Sequence, residues 1–326
     1  ICHGSLFYSV NENSFSAHCI SQPSLFPSGG PLQESKVSGE GPQKIVLIDV
    51  SGMLSSAKPS GFADQLLDRP SLPARLKEEL AKAGEDEDVK AILLRINSPG
   101  GTVTASDVLY HEIHQFKQTH KIPVVASIVD LGTSGGYYIA AVADKIFAHP
   151  STVTGSIGVI MVTLNAQGLL EKIGVVPGAI TSGPNKSMGA PYRAMTEEEL
   201  AIFQGVINSM YEQFVEVVKT GRPSLTEAEI RRLADGRIYT AAQAKAVGLV
   251  DEIGYLDDAI EQAKIMANLE DASVVTYHRA GGYKPNIYSS IMTNEGDAHR
   301  FPSLDSLSLF TVLSGGTPKF MYIWMP

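Results

Sequence analysis

The sequence predicts an α/β fold with a largely parallel sheet, and three observations predict it. Short, predominantly apolar runs recur at residues 44–50, 89–96 and 122–129. Segments of helical spacing lie between them, and glycine-rich turns stand at the junctions. Alternation of this kind is the mark of strand–helix–strand units whose strands are covered on both faces.

Taken in order, Lys44 to Val50 (KIVLIDV) reads as a buried strand and Pro73 to Ala83 as a helix. Val89 to Ile96 (VKAILLRI) is a second strand. Thr104 to Gln118 is a helix whose Val108, Leu109, Ile113 and Phe116 share one side. Ile122 to Val129 is a third strand, and Gly135 to Val142 opens a short helix of small residues. Lys145 to Ala148 and Ile157 to Leu164 read as further strands. Thr196 to Thr220 is the longest helix, with three glutamates suited to its positive N-terminal end.

The outer parts differ. Residues 1–43 are rich in Ser, Pro, Gly and Asn without a period, which predicts a flexible arm. Residues 44–280 form the expected catalytic domain, and 281–326 a C-terminal extension. Within that extension Met321-Tyr322-Ile323-Trp324 is apolar again, a segment able to dock on a partner or to pack on its own domain.

The net charge of −9, without a basic cluster, argues against a nucleic-acid partner. The two cysteines, Cys2 and Cys19, both lie in the arm; a zinc site is not expected. No apolar run approaches the roughly 18 residues of a membrane helix. The chain begins with Ile, so a leader or membrane anchor is expected to precede it.

Three segments carry chemistry. Asn97-Ser98-Pro99-Gly100-Gly101 follows a buried strand and presents outward-pointing backbone N–H groups, suited to an oxyanion or a phosphate, or to a plain turn. Gly132-Thr133-Ser134-Gly135-Gly136 matches the G-x-S-x-G nucleophile elbow; its other reading is a serine that caps a helix. Thr181-Ser182-Gly183-Pro184-Asn185-Lys186-Ser187 is a polar loop with one lysine, an ordinary solvated side chain unless burial beside a serine makes it a base.

The stretches RINSPGGTVTASD, SGGYYIAAVADKI, TVTGSIGVI and TSGPNKSMGAPYR, in that order, resemble the signal peptide peptidase A family over roughly residues 44–280. The resemblance implies a ClpP/crotonase-like fold of repeated β-β-α units. It implies a serine endopeptidase with Ser134 as nucleophile, Lys186 as general base and Ser156 positioning the lysine. It matches Gly101 and Gly135 to the oxyanion-hole donors and requires no cofactor or metal. It further implies a ring-like homo-oligomer, tethered to a bacterial membrane with its catalytic domain outside the cytoplasm. Its substrates would be signal-peptide remnants and other short or unfolded chains. The sequence departs from the family pattern at Leu131-Gly132-Thr133, where small residues are more usual, and at His149, where Asn is.

Other classes fit parts of the pattern. A Ser–His–Asp hydrolase could use Asp251 or Asp257 followed by His278. A crotonase-type acyl-CoA enzyme shares glycine-rich oxyanion loops, but no CoA-phosphate signature is seen. A non-catalytic scaffold is disfavoured by the presence of both Ser134 and Lys186.

Overall fold

The structure is a computed structural model and describes residues 31–57, 70–279, 286–287 and 320–324. Cys2 and Cys19 lie outside the described residues.

The strands are β1 (Gln33–Ser38), β2 (Lys44–Ser51), β3 (Val89–Ser98), β4 (Gly100–Thr102), β5 (Val124–Thr133), β6 (Lys145–Ala148), β7 (Val153–Gly155), β8 (Ile160–Met161), β9 (Ile238–Thr240), β10 (Glu252–Ile253), β11 (Ser273–His278) and β12 (Phe320–Ile323). The helices are α1 (Leu72–Glu85), α2 (Val103–His120), α3 (Gly135–Ala140), α4 (Gln167–Lys172), α5 (Glu197–Gly221), α6 (Glu227–Leu233), α7 (Ala241–Ala246) and α8 (Leu256–Met266).

The main sheet runs β1-β11-β2-β3-β5-β6-β10, with β7 beside the end of β5 and β9 beside β7. Six of its pairings are parallel; β1 on β11 and β9 on β7 are antiparallel. This is the largely parallel α/β architecture expected from the sequence. Successive residues of β2 face opposite sides. Val46, Ile48 and Val50 join the core under α1 and α2, while Ile45 and Leu47 join a second cluster under α8. A strand covered on both faces has no use for alternation, which is why apolar residues stand at successive positions from Ile45 to Ile48.

One polar pair interrupts that core. Asp49 of β2 faces Arg95 of β3 in register, and both are almost fully buried. Their ion pair spans 2.8 Å, and Arg95 also donates to the Ile287 carbonyl.

Two segments depart from the sequence reading. Residues 33–38, inside the stretch read as a flexible arm, form edge strand β1. Only Val37 of this strand is buried, so it carries no hydrophobic signal. The expected strand over 157–164 shrinks to Ile160–Met161, while β7 forms just before it. Ile160, Val162 and Leu164 are exposed, so their apolar character does not mark a buried strand here.

A second, three-stranded sheet has the order β4-β12-β8. It sits at the end of the main sheet to which β3 and β5 deliver their loops. No helix among the described residues is long and apolar enough to cross a membrane.

Candidate active site

β5 carries the chain directly into Ser134, which stands between Thr133 and the first residue of α3. Its φ of 52° is in the left-handed region, an expensive conformation for a residue with a side chain. Two bonds hold it there: the Ser134 amide donates to the Gly155 carbonyl at 2.7 Å, and the Tyr138 amide donates to the Ser134 carbonyl at 2.9 Å. Ser134 is only 1 % exposed, and its Oγ makes no hydrogen bond among the described residues. A buried hydroxyl with no partner at the head of a helix does not serve as a cap.

The turn after β3 is built around Ser98. Its hydroxyl donates to the Gly52 carbonyl at 2.7 Å and accepts from the Gly100 amide at 3.1 Å. Gly100 has φ +99°; a Cβ there would strike the Tyr322 carbonyl oxygen and lie 2.8 Å from the Gly135 nitrogen. The Gly100 carbonyl and the Thr102 amide are both used by Leu54, at 2.9 Å each. Peptide groups alternate along a strand, so the N–H of Gly101 faces the other way, toward β12. Gly100 and Gly135 both lie against the Tyr322 carbonyl, which a Cβ on either would meet.

Ser156 follows β7, and Gly155 pairs in register with Thr133 of β5. Ser134 and Ser156 are thus brought to neighbouring strand ends, roughly 5 Å apart laterally by ordinary sheet spacing. Ser156 is also left-handed, with φ 51°, and its amide donates to the Arg237 carbonyl at 2.7 Å.

Lys186 is placed differently. It lies on a 3₁₀ turn, Pro184–Ser187, with its side chain exposed. Because Ser134 Oγ has no partner, the two groups are not hydrogen-bonded in the single chain. The turn itself is anchored. Arg193 donates to the Ser187 carbonyl at 3.1 Å and to its hydroxyl at 3.0 Å, and its guanidinium also grips Glu199. Glu199 closes a capping box with Thr196 at the start of α5. The hydrogen bond from Arg193, reinforced by the Thr196 amide, holds the Glu199 carboxyl down at about 2. Arg193 escaped the sequence reading because an Arg six residues before a Glu carries no local pattern.

The helix that follows Ser134 carries Tyr138 into a packed aromatic cluster. Tyr138, one turn along α3, packs edge-on against Phe214 of α5, and its hydroxyl donates to Asp107 at 2.8 Å. Burial, together with that carboxylate, pushes the Tyr138 phenol far up, so it stays protonated.

The Ser–His–Asp alternative finds no support in this arrangement. β2 and β3 separate β11 from β5, which puts His278 roughly 14 Å from the strand that leads into Ser134 at ordinary strand spacing. The His278 ring is instead engaged with the Ser35 hydroxyl at 2.7 Å. Asp251 pairs with Arg222 at 2.8 Å and accepts from the Ile146 amide, both structural roles. Asp257 belongs to the first turn of α8. Among the described residues, no cluster of three or more His, Cys, Asp or Glu could hold a metal ion. His149, at one departure from the family pattern, meets the Ser151 hydroxyl and the Tyr255 ring, away from Ser134.

Residues 116–270 match the description Peptidase family S49. An Enterococcus faecium protein named "Putative signal peptide peptidase SppA" is 41 % identical over 254 residues, covering 78 % of this chain and 72 % of the relative. This chain belongs to peptidase family S49. Protease 4 of Haemophilus influenzae is 33 % identical over 236 residues, 72 % of this chain and 36 % of that longer protein. The chloroplastic serine protease SPPA of Arabidopsis thaliana is 34 % identical over 246 residues, 74 % of this chain and 34 % of the relative. The family assignment makes the chain a serine peptidase of the signal peptide peptidase A group, on the ClpP/crotonase-like fold.

Proposed function

We propose that this S49 peptidase cleaves peptide bonds through an acyl-enzyme on Ser134, with Lys186 as general base. The observation that carries the reading is Ser134 itself: a strained, buried, unpartnered hydroxyl at a helix N-terminus. Neutral Lys186 takes the Ser134 proton as Oγ attacks the scissile carbonyl. The N–H groups of Gly101 and Gly135 receive the developing oxyanion. Lys186 then protonates the leaving amine and later activates the water that releases the acyl group. Ser156, at the adjoining strand end, positions the lysine head group.

The exposure of Lys186 is accounted for by assembly. Its segment carries Ile173, Val175, Val176 and Ile180 in the open, with Val176 at 94 % exposure. Exposed apolar residues in such a run call for cover, and a second copy of the chain in a ring-like homo-oligomer supplies it. A lysine withdrawn from water favours its neutral form, which is the form a base requires. The family relationship supports signal-peptide remnants and other short or unfolded chains as substrates. It also supports a membrane-tethered enzyme whose catalytic domain lies outside the cytoplasm.

The test is fluorophosphonate labelling and hydrolysis of an internally quenched peptide. Ser134→Ala loses both, and Lys186→Ala loses at least about 100-fold in kcat/KM, the ordinary scale for a general base. Lys186→Arg fails to rescue, because guanidinium does not deprotonate. Specific activity rises with protein concentration, and Val176→Glu suppresses that rise. Full activity in Lys186→Ala would overturn the assignment of the base.

A further inference from the structure

A cavity of about 270 Å³ lies on the α8 side of the main sheet, lined by Ser127, Val129, His149, Tyr255 and Leu256. Its origin is simple. Val125 of β5 packs under α8, and Ser127 and Val129 follow it on the same face of the strand. α8 begins at Leu256, with Tyr255 as its N-cap, and the cavity opens at that end of the helix. The loop after β6 closes it: the His149 amide donates to the Ile128 carbonyl at 2.9 Å, and the Thr152 hydroxyl donates to the same carbonyl at 2.8 Å.

We propose that this cavity is a binding site for a small, neutral aromatic molecule that carries one hydrogen-bond acceptor. Two polar groups and one aromatic corner carry the proposal. Ser127 is 2 % exposed, and its hydroxyl makes no hydrogen bond among the described residues. A serine buried to that degree ordinarily has a partner, yet this one lines an open space. His149 supplies a donor of fixed identity. The Ser151 amide donates to His149 Nδ1 at 3.2 Å, which leaves the ring proton on Nε2. That Nε2–H makes no hydrogen bond among the described residues. The imidazole also stands edge-on to the Tyr255 ring, with centroids 4.9 Å apart and planes at 87°. Two rings at right angles make a corner that receives a third ring in stacked or edge-on contact. Tyr255 is 55 % exposed, and a ligand in the corner would cover it.

The surroundings decide the charge of the ligand. Asp257 and Asp258 stand in the first turn of α8, and Asp258 already accepts from the Tyr255 amide at 2.7 Å. An anion at that helix end would meet two carboxylates. The buried Arg95, in register beside Ser127, is matched by Asp49 and adds no free positive charge. No carboxylate lines the cavity, so a cation finds no counter-charge inside it. A neutral ring with a carbonyl or amide group remains, and the volume admits one such ring with a short substituent.

The probe is 4-fluorobenzamide, titrated into the full chain and followed by broadening of its fluorine NMR signal. The expected Kd is about 1 mM, an ordinary affinity for a molecule of about ten non-hydrogen atoms. Its charged counterpart, 4-fluorobenzoate, binds at least about tenfold more weakly. Ser127→Ala weakens the amide about fivefold, the scale of one lost hydrogen bond. His149→Asn keeps a polar side chain, removes the aromatic wall and weakens the amide about tenfold. Hydrolysis of a quenched peptide persists in both variants and shows that they fold. If His149→Asn does not fold, Tyr255→Ala removes the other half of the corner from an exposed position and gives the same loss.

Two measurements locate the probe. Hydrogen exchange at the His149 and Thr152 amides slows when 4-fluorobenzamide is bound. Fluorophosphonate modification of Ser134 leaves its Kd unchanged, which separates this site from the peptide groove. Equal affinity for the wild-type chain and the cavity variants, or loss of binding once Ser134 is modified, would put the probe elsewhere and overturn the proposal. Absence of binding at about 10 mM, ten times the expected Kd, would make the cavity a water-filled notch and overturn it too.

Discussion

The amide of Ser134 donates to the carbonyl of Gly155 across 2.7 Å, and this bond couples the two serines of the site. It fixes the left-handed turn at Ser134 and ties it to the strand end from which Ser156 projects. Ser134 is therefore held by tertiary structure in a conformation its own residue type resists.

Strain held in this way is recoverable. Ser134→Gly relieves the φ of 52° and should raise unfolding stability by about 1–2 kcal/mol. Ser134→Ala removes the unpartnered hydroxyl but keeps the strain, so its gain is smaller. Both lose hydrolysis entirely. Urea denaturation followed by circular dichroism measures the difference; equal stability of the two variants would mean that the turn stores nothing.

Gly100→Ala adds a methyl group where φ is +99° and the Gly135 nitrogen would lie 2.8 Å away. On the proposed mechanism the methyl enters the space where a substrate carbonyl meets its donors. The expected loss in kcat/KM is about 100-fold or more, the scale of disrupting an oxyanion hole. Fluorophosphonate labelling and a thermal melt separate this loss from unfolding. A variant of normal activity would move the oxyanion site elsewhere.

The Arg193–Glu199 link ties down the Lys186 turn, and its pH dependence has a definite sign. The Glu199 carboxyl is lowered from 4.5 to about 2 by the hydrogen bond from Arg193 and by the Thr196 amide. A depressed carboxyl stabilises the fold fully above its ordinary value and loses that contribution as pH falls from about 4.5 toward about 2. Hydrogen exchange at residues 184–190 should thus show no loss of protection through this link between pH 5 and 8, and a loss below about pH 4. Arg193→Ala should lose the protection at every pH. A midpoint near neutrality in the wild-type chain would assign the link to another group.

Asp49 and Arg95 are matched in register across β2 and β3, with side chains 5 % and 6 % exposed. Asp49→Ala removes the carboxylate that faces a buried guanidinium and should cost about 3–5 kcal/mol in chemical denaturation. Asp49→Leu combined with Arg95→Met should recover most of that loss. A single-variant cost under about 1 kcal/mol would show that water reaches Arg95.

The elements legible in the sequence were those whose signal is local. The three buried strands announced themselves as apolar runs because both faces of the sheet are covered. The long helix α5 was legible from its glutamate-rich first turn. The sharp strand-to-helix turn at Ser134 was legible because such a turn needs glycines at fixed places around the serine. β1 and β7 were not legible. One is an edge strand with a single buried side chain, and the other is three residues long.

By itself the sequence determined the α/β alternation, the serine at the strand-to-helix junction and the glycine turn opposite it. Each depends on residues within a few positions of one another, where period and backbone preference act directly. Only the tertiary structure decided that Ser156 stands beside Ser134, that Lys186 lies on an exposed turn, and that a C-terminal strand lies on the glycine turn. Those outcomes come from backbone pairing between distant segments and from what covers a surface, neither of which leaves a periodic trace in the chain.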